Sequence, residues 1–366
     1  MENIMQSVTA FIDINALVHN IKIIKKITNS KIIAIVKANA YGHGILKIAK
    51  TIKNLVDAFG ISRVQEGIIL RTNGINNKIL LLEDFFETDE LFDLINYKID
   101  IVLQRIEQLE LLEKCQFNKP INIWMKLDTG LHRLGIKPRE AEKFYQRLLS
   151  KKFINKPINI ISHFSSADDE DKLSITQKEL ESFNKFTQDK PGDRSIAASA
   201  GILLWPKSHF EWIRPGIILY GISPKENNYG KDYGLLPVMR LQSNLIAITK
   251  HNKGDTIGYG GIWTSEYNTH IGIISIGYAD GYPRNIIPGT PVIINDRKVP
   301  IVGRVSMDLI SVNLGANIKD KINDPVTIWG HEILPIEEIA KCANTSNYDL
   351  TTKLTSRVLF KYFKDK

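Results

Sequence analysis

Short apolar, β-branched runs alternate with amphipathic stretches from residue 31 to about residue 220. The short runs lie at 31–36, 56–60, 78–82, 99–103, 121–127, 158–163, 194–198 and 211–214. Runs of this kind fit strands buried on both faces. Between them, stretches such as 45–53, 63–71, 104–114, 138–149 and 172–188 carry apolar residues at helical spacing. Eight strands, each followed by a helix, predict a (β/α)8 TIM-like barrel of α/β class. A doubly wound sheet is the structural alternative, and the missing dinucleotide glycine fingerprint weighs against it. Ahead of the barrel, Val8–Ile14 predicts an outlying strand, and the amphipathic run to Ile27 predicts a helix.

Near Gly234-Leu-Leu-Pro237 the pattern changes. Residues 238–250, 257–263, 270–277, 291–295, 298–303, 305–314 and 326–330 read as short strands between glycine, asparagine and aspartate turns. Asn295-Asp-Arg-Lys298 reads as a hairpin connection. A short helix, Ile336–Cys342, and a final segment follow. The expected division is therefore a barrel over 1–235, with its N-terminal extension, and a mostly-β domain over 236–366.

Composition changes this picture little. Of 366 residues, 43% are hydrophobic and 24% charged, ordinary values for a globular protein. The net charge of +8 comes from lysines scattered over the whole length, with no basic block or arginine-rich arm. It is read as bias plus an attraction for anionic ligands, not as a nucleic-acid footprint. Cys115 and Cys342 stand far apart and suggest neither a disulfide framework nor a metal site. No apolar run is long enough to span a bilayer, and the N-terminus lacks a secretory pattern, so the expected location is the cytoplasm.

In a barrel, the C-terminal ends of the strands share one mouth, where active sites are built. Lys37 and Tyr41 follow the first run. Lys126, Asp128 and, past a Thr-Gly turn, Arg133 follow the fifth. His163 ends the sixth, Ser199 follows the seventh, and Arg214-Pro-Gly216-Ile217 closes the eighth. Each has a plainer reading: a strand-end lysine or histidine, a solvated loop arginine, a helix cap. All fall on one side of one fold, however. A lysine at the rim of a dry sheet suits Schiff-base chemistry. The loops after strands seven and eight commonly hold phosphate, and Ser199, Gly216 and Ile217 fit that use. Lysine plus phosphate cradle points to pyridoxal 5'-phosphate.

Seven segments in this order resemble the alanine racemase family over nearly the whole chain. They are Ala34-Ile-Val-Lys-Ala-Asn-Ala-Tyr-Gly-His-Gly44, Lys126-Leu-Asp-Thr-Gly-Leu-His-Arg-Leu-Gly135, Ser162-His-Phe164, Arg214-Pro-Gly-Ile217, Gly258-Tyr-Gly260, Ile276-Gly-Tyr-Ala-Asp-Gly281 and Ser306-Met-Asp308. The resemblance implies a pyridoxal-phosphate barrel joined to a β-domain and assembled as a head-to-tail homodimer with shared active sites. It implies interconversion of L- and D-alanine, supplying D-alanine for peptidoglycan. Lys37 would hold the cofactor and serve one face of the substrate Cα. Tyr259, lent by the partner, would serve the other. Arg133 would bind the substrate carboxylate with help from the Met307 backbone. Arg214 would face the pyridine nitrogen and His163 would hydrogen-bond Arg214. Tyr41, Ser199, Gly216, Ile217 and Tyr348 would hold the phosphate. Tyr278 and Asp308 would stand at the entrance, and Lys126 matches a position that is carbamylated in some members.

Removing a proton from one face and returning one to the other favours two groups flanking a planar intermediate. An arginine at the ring nitrogen cannot accept a proton there, which shortens the life of the carbanion and favours reprotonation. The chain departs from some members at His132, Ala198 and Ser306. A broader-specificity racemase and a pyridoxal-phosphate homeostasis protein are the rival readings. The second resembles the barrel alone and leaves Gly258-Tyr-Gly260 and Ser306-Met-Asp308 unexplained.

Overall fold

In the computed structural model, residues 8–85 and 88–364 are described. They divide into two compact units. One spans Asn20–Leu219 with Pro224–Glu226; the other gathers the residues up to His19, Tyr220–Ser223, and the chain from Asn227 onward. The first strand, β1 (Val8–Asp13), thus belongs with the C-terminal residues.

The first unit is a barrel of eight parallel strands: β2 (Lys31–Ile35), β3 (Ala58–Ile61), β4 (Lys78–Leu81), β5 (Asp100–Leu103), β6 (Ile123–Lys126), β7 (Asn159–Ile161), β8 (Arg194–Ser195) and β9 (Trp212–Ile213). Each pairs with its chain neighbour, and β9 returns to β2. A single bridge between Ala198 and Arg214 joins the last two strands, with the Arg214 amide donating to the Ala197 carbonyl at 2.9 Å. The β-branched strand residues are buried, as are Ile45, Ile48 and Ile52 on one face of the helix Ile45–Ile52. Those three isoleucines contribute about 5–9 kcal/mol by leaving water. The runs 194–198 and 211–214 form strands of only two residues; after the first the chain bends into the helix Ser199–Leu204, where the sequence reading allows a helix cap at Ser199. A helix it missed, Thr88–Asn96, opens with two acidic residues in its first turn.

The second unit is a mostly antiparallel sheet. It contains β1, β10 (Met239–His251), β11 (Thr256–Ile257), β12 (Trp263–Thr264), β13 (Thr269–Ile274), β14 (Pro291–Ile294), β15 (Arg297–Val302), β16 (Ile310–Gly315), β17 (Pro325–Trp329) and β18 (Leu359–Phe363). The main sheet runs β13-β16-β15-β14-β17-β10-β1-β18. The long β10 also pairs with β13, shifting register between Leu245 and Ala247, so the β13 end of the sheet closes back onto β10. Three expectations change. Residues 257–263 are two short strands around a turn, not one strand. Of 305–314, only Ile310 onward is strand. The final segment includes β18, parallel to β1. The Asn295 hairpin forms as expected, with Asn295 and Asp296 both at positive φ (48° and 58°).

Candidate active site

Lys37 stands one residue beyond β2 and its neighbour Val36. Ala38, Asn39, Ala40 and Tyr41 then take φ values of 51–56°, a left-handed turn built from residues with side chains. Each such residue costs roughly 1–2 kcal/mol relative to right-handed backbone. The turn holds because its polar groups are tied down. The Ala38 amide donates to Glu66 Oε1 at 2.7 Å, and the Ile45 amide to Asn39 Oδ1 at 2.9 Å. His43, fully buried, donates from Nδ1 to the carbonyls of Tyr41 (2.9 Å) and Ala40 (3.1 Å). Burial, partly opposed by those bonds, holds its pKa down to about 4, so the ring is neutral.

The turn fixes Tyr41 against the loop after β9. A Cβ on Gly216 would lie 2.7 Å from Tyr41 Oη, so a side chain there would displace the Tyr41 ring. The Gly216 amide donates to Ser199 Oγ at 3.0 Å. Ser199 is the first residue of its helix, and the N-cap is Ala198. Its hydroxyl therefore ties two loops together instead of capping. Ile217 follows, fully buried at the start of a 3₁₀ turn.

Arg214 is 3% exposed. It donates to Ser195 Oγ at 2.6 Å, to the Ser162 carbonyl at 2.5 Å, and to the Ile196 carbonyl and His163 Nδ1, each at 3.3 Å. Burial lowers its pKa to about 9, which leaves the guanidinium charged at neutral pH. Since a guanidinium only donates, His163 Nδ1 accepts, and the imidazole carries its proton on Nε2. Burial, then Arg214 and the nearby cations Lys126, Arg133 and Lys37, press the His163 pKa to about 3.

Lys126 ends β6, donates to Gln104 Oε1 at 3.0 Å, and has its pKa lowered by burial to about 8. Arg133 lies on the loop after β6. That loop is fixed by the Asp128 carboxylate, which accepts from the His132 amide (2.9 Å) and lies 3.0 Å from its ring Nδ1. Glu83, just past β4, was missed by the sequence reading. Its Oε1 lies 3.4 Å from Lys37 Nζ. Although desolvation pushes its pKa up, the fields of Lys37, Lys126 and Arg133 outweigh that and hold it below the usual carboxylate range. The barrel mouth thus gathers Lys37, Lys126, Arg133, Arg214, His163, Tyr41, Ser199 and Gly216, with Glu83 facing the cations.

Tyr259, Tyr278, Met307, Asp308 and Tyr348 belong to the other unit. Tyr259 heads a glycine turn and is 71% exposed. Tyr278 opens a 3₁₀ turn, and Met307 lies on the loop between β15 and β16. The Tyr278 amide donates to the Ser306 carbonyl (3.1 Å), and the Ala279 amide to the Met307 carbonyl (2.9 Å). A Cβ on Gly277 would come within 2.2 Å of the Met307 carbonyl oxygen, so the two loops touch backbone to backbone. Tyr348 lies in the short helix Asn347–Thr352, capped by Ser346.

Residues 12–224 match the family model of the alanine racemase N-terminal domain, and 238–362 match that of the C-terminal domain. The chain is 51% identical over 360 residues to the biosynthetic alanine racemase of an Escherichia coli O6:H1 strain, covering 98% of this chain and 99% of the relative. It is 50% identical over 359 residues to an alanine racemase of Yersinia pestis, with the same coverage. Among solved structures, the biosynthetic alanine racemase of Pseudomonas aeruginosa superposes with a TM-score of 0.94 at 37% identity, covering 98% of this chain and all of that one. The alanine racemase of Acinetobacter baumannii gives 0.89 at 34%, with the same coverage.

Proposed function

The chain belongs to the alanine racemase family, and from that premise we propose that it interconverts L- and D-alanine by proton transfer on both faces of Cα, using pyridoxal 5'-phosphate. The residues of the barrel mouth suit this cofactor. Buried Arg214 and Lys126, with Lys37 and Arg133, gather four positive charges near the Glu83 carboxylate, and an anionic ligand would balance the surplus. Gly216 brings backbone, not a side chain, against the Tyr41 hydroxyl, with Ser199 and Ile217 beside it, and a turn of this kind suits a phosphate. Tyr348 is assigned to the phosphate by the family resemblance. When bound, the cofactor supplies an electron sink that acidifies the Cα proton.

Lys37 Nζ would hold the cofactor and then carry the proton on one face. Tyr259 Oη would carry it on the other. Arg133 would orient the substrate carboxylate, aided by the Met307 backbone. Arg214, held through Nη1 by Ser195 and through Nη2 by Ser162, His163 and Ile196, would face the ring nitrogen, and a guanidinium that stays charged takes up no proton there. Neutral His163 keeps Arg214 in place as an acceptor without adding charge. The depressed pKa of Lys126 supports carbamylation, since a neutral amine is the form that reacts with carbon dioxide. Tyr259 would act in a second copy of the chain, to which the β-domain over 236–366 is lent. Its exposure, with that of Ile262, Met307 and Leu309, supports this, because they form apolar surface that another copy would cover. No helix among the described residues is long and apolar enough to cross a membrane. Cytoplasmic supply of D-alanine for peptidoglycan is the role that fits relatives named biosynthetic, with neither nucleic acid nor membrane as partner.

The gathering of Lys37, Lys126 and Arg133 around the Glu83 carboxylate, with Arg214 beside Lys126 on the same rim, carries this reading. The test is racemisation of a panel of L-amino acids by the reconstituted protein, with Tyr259→Phe beside it. Alanine should be racemised fastest, and the variant should keep the lysine-bound cofactor absorbance while losing Cα proton exchange from L-alanine. Full exchange in the variant would remove Tyr259 from the reaction.

A further inference from the structure

Three segments of the C-terminal unit meet at one arginine. Arg357 Nε lies 3.1 Å from Asp280 Oδ1, and its Nη2 lies 2.8 Å from Asp308 Oδ1. Asp280 closes the turn that begins at Tyr278, and Asp308 follows Met307. Arg357 itself stands just past the segment from Lys353 to Thr355, which is laced onto the same turn. The Thr355 hydroxyl donates to the Ala279 carbonyl at 2.9 Å, and its amide to the Asp280 carbonyl at 3.2 Å.

The two ion pairs are unequal. Asp308 is exposed, and an exposed pair by itself contributes little. Asp280 is buried at 2% exposure, and its other oxygen, Oδ2, accepts from the Gly277 amide at 2.9 Å. A buried carboxylate needs its counter-charge, so Asp280 holds the arginine by charge, its Oδ1 making no hydrogen bond. The anchored guanidinium then has one end free to hold Asp308. Its planar fork can bridge two carboxylates in a fixed geometry, which a lysine ammonium does not enforce.

We propose that Arg357 is a positioning residue that locks the Tyr278 turn to the Met307–Asp308 loop, and so sets how tightly substrate is received. The proposal rests on the reading above that these loops serve the substrate site of a second copy. Without Arg357, the backbone contacts between Tyr278 and Ser306 and between Ala279 and Met307 remain, but Asp308 loses its tether and Asp280 its counter-charge. The Met307 backbone then samples positions in which it does not meet the carboxylate. The cost falls on binding, and the entrance admits larger side chains.

The test uses the cofactor-loaded dimer of Arg357→Met, Arg357→Lys, Asp308→Asn and the double variant Arg357→Met/Asp308→Asn. Arg357→Met is expected to raise KM for alanine about five- to tenfold with kcat changed less than about twofold, the split for lost ground-state positioning. The ratio of kcat/KM for serine to that for alanine should rise severalfold. Asp308→Asn should move both in the same direction. The double variant should be no worse than Arg357→Met alone, because both remove one tether. Arg357→Lys should recover part of the KM. A lowered melting temperature with KM and the serine ratio unmoved would reduce Arg357 to a structural clamp and overturn the proposal, as would additive effects in the double variant. If Arg357→Met does not fold, Asp308→Asn, which spares the buried pair, decides alone. Wild-type protein that fails to racemise alanine would instead sink the functional reading itself.

Discussion

His43 shows how a side chain outside the chemistry governs it. Its neutral ring bonds the carbonyls of Ala40 and Tyr41 and so secures the left-handed turn behind Lys37. The folded pKa of about 4 lies below the ordinary 6.5, so the unfolded chain binds a proton first as pH falls. Stability is complete above pH 6.5 and is lost as pH drops toward 4, by about 2 kcal/mol between pH 6.5 and pH 5 from this residue. Denaturant titrations at pH 7 and pH 5 should show this, and His43→Asn, though weaker at pH 7, should have a smaller difference between the two. An unchanged difference would clear His43 of this role. Lys37, Arg214 and Ser199 were legible in the sequence because each follows a strand and their chemistries converge on one rim of one barrel. Glu83 satisfies the same criterion, following the strand Lys78–Leu81, yet reads as an ordinary polar stop. Its significance lies in Lys37, Lys126 and Arg133, which other strands supply.

At the scale of elements, periodicity located the barrel strands well because parallel strands covered on both faces are continuously apolar. It failed where side-chain type and backbone path disagree. Residues 257–263 look like a strand through Ile257, Tyr259, Ile262 and Trp263, but Gly258, Gly260 and Gly261 take positive φ and turn the chain outward. The run 305–314 fails similarly, since Ser306 to Leu309 close a loop through the Ser306 amide and the Leu309 carbonyl (2.9 Å). The hairpin at Asn295 was readable because asparagine and aspartate tolerate the left-handed region. Asn295 also donates to Asp320 and Asp324, at 2.9 and 2.8 Å. Asn295→Ala, losing both bonds and placing a less tolerant residue at φ 48°, should cost about 1–2 kcal/mol in chemical denaturation with activity kept. No change in the unfolding midpoint would show the turn to be held by its strands alone.

At the scale of the whole molecule, the proposed sharing of sites has an arithmetic consequence. Lys37→Ala and Tyr259→Phe should each be inactive as pure proteins. In a mixed dimer, one site inherits both defects and the other neither. Equal mixing with free exchange gives half mixed dimers, so activity should return to about a quarter of the wild-type value. A mixture that stays silent after proven subunit exchange would mean both groups act within one chain. The placement of β1 has a different consequence, in the timing of synthesis. Val8–Asp13 leaves the ribosome before the barrel, yet its sheet neighbours are Met239–Ser243 on one side and Leu359–Phe363 on the other. The nascent chain therefore carries an unpaired apolar strand while the whole barrel is translated and free to close. Such an edge is open to wrong partners until Leu359–Phe363 is made, so the sheet of the β-rich unit can be completed only after the barrel.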